Sequence, residues 1–113
     1  MHDLLITGGR VLDGTGAAAF EADVAIDGDR IAAIGLGLGR ARRALDARGC
    51  VVSPGLIDIH THSDFTLPIN PSAESKIRQG VTTEVVGNCG FSAAPALPGT
   101  SAMLADYLRA SAP

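Results

Sequence analysis

The sequence predicts a mixed α/β fold, in which the short strands of a small sheet precede a strand, a helix and a second, parallel strand. Three observations support this prediction. Fourteen glycines and six prolines interrupt the 113 residues, so the regular elements must be short. The first half alternates brief apolar runs with turn sequences, which is typical of strands. In the second half, one stretch with helix-start and helix-stop residues lies between two β-branched runs.

Composition places the chain among apolar globular domains and excludes several functions. Hydrophobic residues make up 46% of the chain and charged residues 19%, so disorder is not expected. The formal net charge of -3 offers no basic face for nucleic acid. The first residues carry neither a positively charged region nor a long apolar run, so no secretion signal or membrane span is expected. We therefore expect a cytoplasmic protein that binds neither nucleic acid nor membranes.

Residues 1–54 predict the strands of a small β-domain. Five brief strands are expected, at residues 3–6, 10–12, 22–26, 30–34 and 50–52. Gly8 and Gly9 separate the first pair, and the turn sequence Asp27-Gly28-Asp29 makes the second pair a hairpin. The sheet is therefore expected to be antiparallel.

A loop region follows this sheet. Residues 35–39 alternate Gly and Leu, but a dinucleotide-binding loop would need G-x-G-x-x-G between a strand and a helix, so we interpret them as a linker. The arginines at positions 40, 42 and 43 fit a solvated loop or a strand edge better than a phosphate site. Cys50 lies beside two valines and is expected to pack as a small hydrophobic residue.

Residues 55–113 begin with the most informative stretch of the chain. Residues 56–62 have the pattern of an apolar strand, and alternate side chains of a strand share a face, so His60 and His62 are expected to converge. Neutral imidazole suits zinc, and a strand holds its ligands rigidly. Two histidines satisfied at a strand end, without a metal, are an equally open interpretation at this point.

A short crossover helix and a second strand are expected next. Asn70 can cap a helix that begins at Pro71, and Gly80 lies just past its end. Ile77 would face the core. The β-branched run at residues 81–86 is then the next strand, and it should lie parallel to the first because a helix connects the two.

Cys89 follows this second strand, in the sequence Gly87-Asn88-Cys89-Gly90. The carboxyl ends of neighbouring parallel strands meet at one edge of a sheet, so Cys89 should lie close to His60 and His62. A thiolate is a strong ligand for a dication. Alone, Cys89 would more often be a buried structural thiol, but its position predicts a partial metal-binding set with His60 and His62.

A final helix is expected after Gly99, with Thr100 as its cap. An apolar stripe at helical spacing indicates a face of this helix that packs into the core. The stripe comprises Met103, Leu104, Tyr107 and Leu108.

Two stretches resemble a known enzyme family. Residues 46–62, DARGCVVSPGLIDIHTH, resemble the opening signature of the amidohydrolase superfamily, in which part of a small β-sandwich leads into the first strand of a (β/α)8 TIM barrel. Residues 79–95, QGVTTEVVGNCGFSAAP, resemble the N-acyl-D-amino-acid deacylase (D-aminoacylase) branch, in which a cysteine after strand two is a metal ligand. The resemblance implies that residues 1–54 belong to a composite β-sandwich and that residues 55–113 begin a truncated TIM-barrel domain.

The resemblance also implies zinc-dependent hydrolysis of the amide bond of N-acyl-D-amino acids, which gives a carboxylate and a D-amino acid. It assigns His60 and His62 as strand-one ligands and Cys89 as the thiolate ligand, with one or two zinc ions in the full-length family. Asp58 has no ligand role in this match and is interpreted as a supporting or packing carboxylate. The family's catalytic aspartate and two further histidine ligands come from later strands. We therefore expect an inactive N-terminal fragment that contains no catalytic residue.

Two alternatives stay open at this point. A cyclic amidase that resembles dihydroorotase or hydantoinase would share the His-x-His signature and carry a metal-bridging carboxylated lysine. Lys76, the only lysine, is poorly placed for that role. A small metal-binding module without catalysis would instead retain stoichiometric zinc in a folded monomer.

Overall fold

The computed structural model describes residues 1–92 and 94–111, except for the side chains at positions 108, 110 and 111. The chain divides into two compact units, Met1–Pro54 and Gly55–Pro113. The described elements are β1 (His2–Val11), β2 (Phe20–Asp27), β3 (Arg30–Gly35), β4 (Ala41–Asp46), β5 (Val51–Val52), β6 (Leu56–Asp58), α1 (Ser63–Thr66), α2 (Glu74–Ile77), β7 (Val81–Glu84), a 3₁₀ turn (Asn88–Gly90) and α3 (Ser101–Ser111). The predicted mixed α/β character is confirmed, with strands predominating. None of the described helices is both long enough and apolar enough to cross a membrane.

The first unit is a five-stranded mixed sheet. Its strands lie in the order β3-β2-β1-β4, and the short β5 also pairs with β1. β1 is antiparallel to β2 but parallel to β4 and β5. The expected purely antiparallel sheet is therefore wrong, because the connection at residues 36–40 carries the chain across to the far side of β1.

β1 runs through its two glycines instead of ending before them, so the two strands expected there are one. Its pairing with β2 shifts register between Ile6 and Gly9. Gly8 has a φ of +68°, and its N–H donates a hydrogen bond to Asp23 Oδ1 at 2.9 Å. A β-bulge of this kind inserts an extra residue without ending the strand. A Cβ at Gly9 would lie 2.5 Å from Val52 Cγ2, so β5 approaches β1 closely because residue 9 is glycine.

The core of the first unit lies between the side chains of β1 and β2. Val11, Ala22 and Val24 form its buried centre, and Ile6, Ile26 and Val52 pack against it. The predicted hairpin is confirmed, since Asp27 pairs with Arg30 across a two-residue turn.

The edge of this sheet carries Arg42 and Arg43, both exposed on β4, the last strand in the order. Arg42 Nη1 lies 3.4 Å from Asp3 Oδ1. Cys50 is exposed, so its expected packing role is wrong. Its N–H donates to Ala47 O at 2.9 Å, which places Cys50 in the turn before β5 and not in a strand.

The second unit contains two short strands. β6 and β7 pair in parallel, as predicted, with Asp58 and Glu84 as register partners. A Cβ at Gly55, just before β6, would lie 2.0 Å from Thr82 Oγ1 on β7. The two strands can therefore approach this closely because residue 55 has no side chain.

The crossover helix is shorter than expected, because α2 spans only Glu74–Ile77. Asn70 does not cap it. The Asn70 N–H donates to Thr66 O at 2.7 Å, so Asn70 closes the turn after α1. Ala73, at φ +47°, precedes α2 instead. Ile77 is 65% exposed, so its expected core position is wrong.

α3 forms where a final helix is predicted, but its burial differs from the prediction. Met103 and Tyr107 are exposed, Leu104 is partly buried, and the side chain of Leu108 lies outside the described residues. The Thr100 hydroxyl donates to Leu97 O at 2.7 Å, so it bonds back to the preceding turn. In the described part of this unit, the buried side chains are polar, and Tyr107 of α3 stacks on Phe91 with ring centroids 6.1 Å apart.

Candidate metal centre

The histidine strand is shorter than the sequence pattern predicts. β6 ends at Asp58, and His60 and His62 follow it. Asp58 Oδ1 accepts a hydrogen bond from the His60 N–H at 3.1 Å. An Asp side chain that bonds a nearby backbone N–H competes with strand pairing, which accounts for the early end of β6. Alternation along one strand face is therefore not what brings the two histidines together.

The three predicted ligands nonetheless converge. One ligand atom from each of His60, His62 and Cys89 lies within 4.8 Å of the other two. His60 Nε2 is 3.3 Å from Cys89 Sγ. The two imidazole rings meet edge-on, with centroids 5.7 Å apart. All three residues are exposed, so a ligand could reach them from solvent.

This set of donors fits a zinc ion. Tetrahedral zinc with bonds of about 2.1 Å to nitrogen and about 2.3 Å to sulfur separates its ligand atoms by about 3.4–3.6 Å. The separation between His60 Nε2 and Cys89 Sγ is close to that value, and the 4.8 Å limit requires only small side-chain movements. Three protein ligands also leave a fourth position open, as in catalytic zinc sites. Within residues 1–92 and 94–111, this is the one group of His, Cys, Asp or Glu placed to hold a metal.

The backbone of Cys89 has an unusual conformation that helps to aim its side chain. Cys89 has φ 56° and ψ 22°, in the left-handed region that non-glycine residues rarely adopt. Gly87 and Gly90, at φ 87° and 80°, let the chain turn sharply on either side. Strained backbone of this kind clusters at functional sites.

Side-chain hydrogen bonds connect the loop around Cys89 (residues 87–90, the cysteine loop) to the segment that carries the two histidines (residues 59–64, the histidine segment). Asn88 Nδ2 donates to Thr61 O at 3.3 Å and to Val85 O at 2.8 Å. Because Thr61 lies between the two histidines, this amide joins both sides of the candidate site. Asp64 Oδ2 accepts a hydrogen bond from the Gly87 N–H at 3.2 Å.

Two aromatic rings lie beside His62 and contact each other. The His62 ring meets Phe91 edge-on at a centroid distance of 5.5 Å, and Phe65 lies 6.4 Å away. Phe65 and Phe91 also contact each other, with centroids 5.3 Å apart. These contacts restrict the orientations that the His62 imidazole can adopt.

A half-buried ion-pair network adjoins the histidine segment. Lys76 Nζ lies 2.6 Å from Asp58 Oδ2, 2.9 Å from Thr61 Oγ1 and 3.3 Å from Glu84 Oε1. The hydrogen bond from Lys76 holds the pKa of Asp58 below its usual range. The same bond raises the pKa of Lys76, with a smaller contribution from Glu84. Asp58 is thus engaged by Lys76 and by the His60 N–H.

The sequence predicts no role in the site for Asn88 or Glu84. For Lys76 it suggests only the metal-bridging role of a cyclic amidase, for which this lysine is poorly placed. A signal for the ion pairs does exist. Asp58 and Glu84 place carboxylates in two adjacent strands, and such a pair needs a cation nearby. Lys76 is the only lysine in the chain and lies on the connection between those strands.

Comparison with known proteins identifies the family. A model of the "Amidohydrolase family" matches residues 43–107. The chain belongs to this amidohydrolase family. N-acyl-D-glutamate deacylase from Alcaligenes xylosoxydans xylosoxydans is 54% identical over 102 residues, an alignment that covers 88% of this chain and 21% of the relative.

Solved structures of amidohydrolases resemble the chain as well. A D-aminoacylase described as having a binuclear metal centre is 49% identical, with a TM-score of 0.79, and the match covers 92% of this chain and 23% of that protein. N-acyl-D-glutamate deacylase from Bordetella bronchiseptica, complexed with zinc and a phosphonate inhibitor, is 53% identical, with the same TM-score and coverage. The chain spans only about one fifth of the length of these relatives. Its predicted resemblance to the deacylase branch is confirmed.

Proposed function

We propose that this chain supplies metal ligands to a zinc-dependent deacylase, which hydrolyses the amide bond of N-acyl-D-amino acids to a carboxylate and a D-amino acid. The observation that carries the proposal is the convergence of His60, His62 and Cys89 within 4.8 Å. The similar Bordetella deacylase binds zinc together with a phosphonate that mimics the tetrahedral intermediate of its reaction. Such an intermediate forms when water adds to an amide carbonyl, as this hydrolysis requires.

In this proposal, residues 1–54 contribute to a composite β-sandwich and residues 55–113 begin a (β/α)8 TIM barrel. The parallel pairing of β6 and β7 supports the barrel assignment, because TIM barrels are built from parallel strands. Catalytic residues of TIM barrels follow the carboxyl ends of those strands. His60 and His62 follow β6, and Cys89 follows β7, so all three lie at that end.

The proposed roles of the chain's own residues are to bind and orient. His60, His62 and Cys89 would hold the ion through two imidazole nitrogens and one thiolate. When bound, zinc supplies Lewis acidity, which polarises a carbonyl group and lowers the pKa of a water molecule beside it. Asn88 and Asp64 fix the cysteine loop, through the hydrogen bonds from Asn88 to Thr61 O and from the Gly87 N–H to Asp64. A thiolate ligand must stay reduced, and Cys89 is free, so we propose the cytoplasm as the compartment.

We further propose that the 113-residue chain does not turn over substrate by itself. Amide hydrolysis needs a group that takes a proton from water and delivers it to the leaving amine. The described ligand cluster contains two histidines and a cysteine but no carboxylate. If the chain alone released a D-amino acid above the rate of a Cys89→Ala variant, this part of the proposal would be wrong.

A chimera tests the deacylase function directly. Residues 1–113 would replace the matching region of the Alcaligenes N-acyl-D-glutamate deacylase, and the release of D-glutamate from N-acetyl-D-glutamate would be measured with and without zinc. We expect zinc-dependent release, its loss in a Cys89→Ala chimera, and its retention in a Cys50→Ser chimera. Activity that survives Cys89→Ala would contradict the proposal. Ring opening of a hydantoin, without release of the D-amino acid, would favour a cyclic amidase.

A further inference from the structure

Asp58 and Glu84 form an unfavourable pair until a cation joins them. They are register partners on the adjacent parallel strands β6 and β7. Their side chains are only 27% and 13% exposed. Like charges directly opposite each other on neighbouring strands repel, and partial burial reduces screening by water. The pairing of β6 with β7 at this position therefore depends on a positive charge.

Lys76 supplies that charge from the connection between the two strands. Its ammonium contacts Asp58 Oδ2 at 2.6 Å and Glu84 Oε1 at 3.3 Å. A third contact, at 2.9 Å, is made with Thr61 Oγ1, between the two histidines. The contacts with Asp58 and Thr61 are hydrogen bonds, and the contact with Glu84 is an ion pair.

Each partner of Lys76 is linked in turn to a segment that carries a metal ligand. Asp58 Oδ1 accepts the His60 N–H at 3.1 Å. The carbonyl of Asp58 accepts the Val85 N–H at 2.8 Å, on the segment that leads to Cys89. Glu84 Oε1 accepts a hydrogen bond from the Ser63 hydroxyl at 2.9 Å, next to His62. The network thus contacts the histidine segment at His60, Thr61 and Ser63. It contacts the segment that leads to Cys89 at Val85.

We propose that Lys76 is a positioning residue of the metal site. It holds the histidine segment and the segment that leads to Cys89 at the spacing that lets one ion bind both. The inference rests on the proposed metal role of His60, His62 and Cys89. Lys76 itself is not a ligand, because its ammonium is occupied by Asp58, Thr61 and Glu84. Residues that orient metal ligands in this indirect way commonly change metal affinity by about 10- to 100-fold when they are replaced.

Cobalt(II) titration of the whole 113-residue chain tests this inference, because cobalt reports each ligand type separately. A thiolate-to-cobalt charge-transfer band measures coordination by Cys89, and the d–d bands measure the coordinated ion as a whole. In Lys76→Met, we expect cobalt affinity to fall by about 10-fold and the ratio of charge-transfer to d–d intensity to fall with it. Lys76→Arg, which keeps a cation with several donors, should restore most of that ratio. Arg78→Met is the matched control, since it removes an exposed cation from the end of the same helix.

The ratio separates positioning from a general effect on stability. Loss of folded protein would reduce both sets of bands in proportion, and an unchanged ratio in Lys76→Met would overturn the inference. If circular dichroism shows that Lys76→Met does not fold, the same ratio of charge-transfer to d–d intensity is measured in Glu84→Gln. A lower ratio in Glu84→Gln supports the positioning role of Lys76, and an unchanged ratio overturns it. A chain with no thiolate band before any substitution would instead overturn the proposed metal site itself.

Discussion

The two units of this chain are stabilised by different kinds of interaction. The buried side chains of Met1–Pro54 are all apolar: Leu5, Val11, Ala22, Val24, Ala25 and Ala47. In the described part of Gly55–Pro113, the buried side chains are Thr61 and Ser63, which contact each other at 3.1 Å. Apolar packing is non-directional and needs no ligand, whereas hydrogen bonds and ion pairs fix particular atoms in place. Substitutions in the first unit should therefore change stability, and substitutions in the second should change metal binding.

The largest effect on zinc affinity is expected from Cys89→Ala, which removes the sulfur ligand atom. Cys89→Ala should weaken zinc affinity by more than about 100-fold, beyond the range typical of supporting residues. Competition with a chromophoric chelator measures the affinity. The matched control is Cys50→Ser, because Cys50 is also free and exposed but belongs to the first unit. Equal zinc affinities for the two variants would contradict the assignment of Cys89.

A smaller loss is expected from Asn88→Asp. This change removes the amide donor and places a carboxylate oxygen near the carbonyls of Thr61 and Val85. The cysteine loop should then separate from the histidine segment, and zinc affinity should fall by about 10-fold. Asn70→Asp provides the control, since the Asn70 side chain is exposed and makes no hydrogen bond among the described residues. A decrease of the same size in both variants would assign the effect to added charge alone.

In the first unit, Gly9→Ala should reduce stability without changing zinc affinity. The new Cβ would lie 2.5 Å from Val52 Cγ2 and 3.2 Å from Ala47 Cβ. Overpacking of this kind reduces the free energy of unfolding by about 1–3 kcal/mol, which urea denaturation would measure. For Gly35→Ala, a control in the same sheet, the nearest atom is Leu38 Cδ2 at 3.8 Å, and little change is expected. A change in zinc affinity in Gly9→Ala would contradict this prediction.

The smallest expected effect is a change in the acid sensitivity of the first unit. Hydrogen bonds from Arg48 lower the pKa of Asp46 from 3.8 to about 2. A carboxyl pKa that is depressed by folding stabilises the fold above pH 3.8, and this contribution is lost as the pH falls towards 2. Asp46→Asn should therefore reduce stability at neutral pH and flatten its decline between those pH values. An unchanged slope in acid denaturation would contradict this assignment.

The sequence predicts local features of this fold better than its long-range pairings. The two-residue turn after Asp27 specifies a hairpin by itself, and β2 and β3 form it. The pairing of β1 with β4 depends on where a loop crosses the sheet, which no local pattern encodes. Gly8 and Gly9 predict a break between two strands, but β1 continues through them with a register shift in its pairing with β2.

The candidate site shows the same division between local and long-range information. The sequence predicts that His60, His62 and Cys89 converge, and they do, but it attributes the approach of the two histidines to alternation along one strand, whereas β6 ends before them. The contacts of Lys76 and Asn88 were not predicted, because they depend on side-chain directions in segments whose helix boundaries differ from the expected ones.

X-ray absorption spectroscopy of the zinc-loaded chain tests the central claim most directly. The claim is that His60, His62 and Cys89 bind one ion together. It predicts one sulfur at about 2.3 Å and two imidazole nitrogens at about 2.0–2.1 Å around zinc. A first coordination sphere of nitrogen and oxygen alone, with no sulfur scatterer, would contradict it.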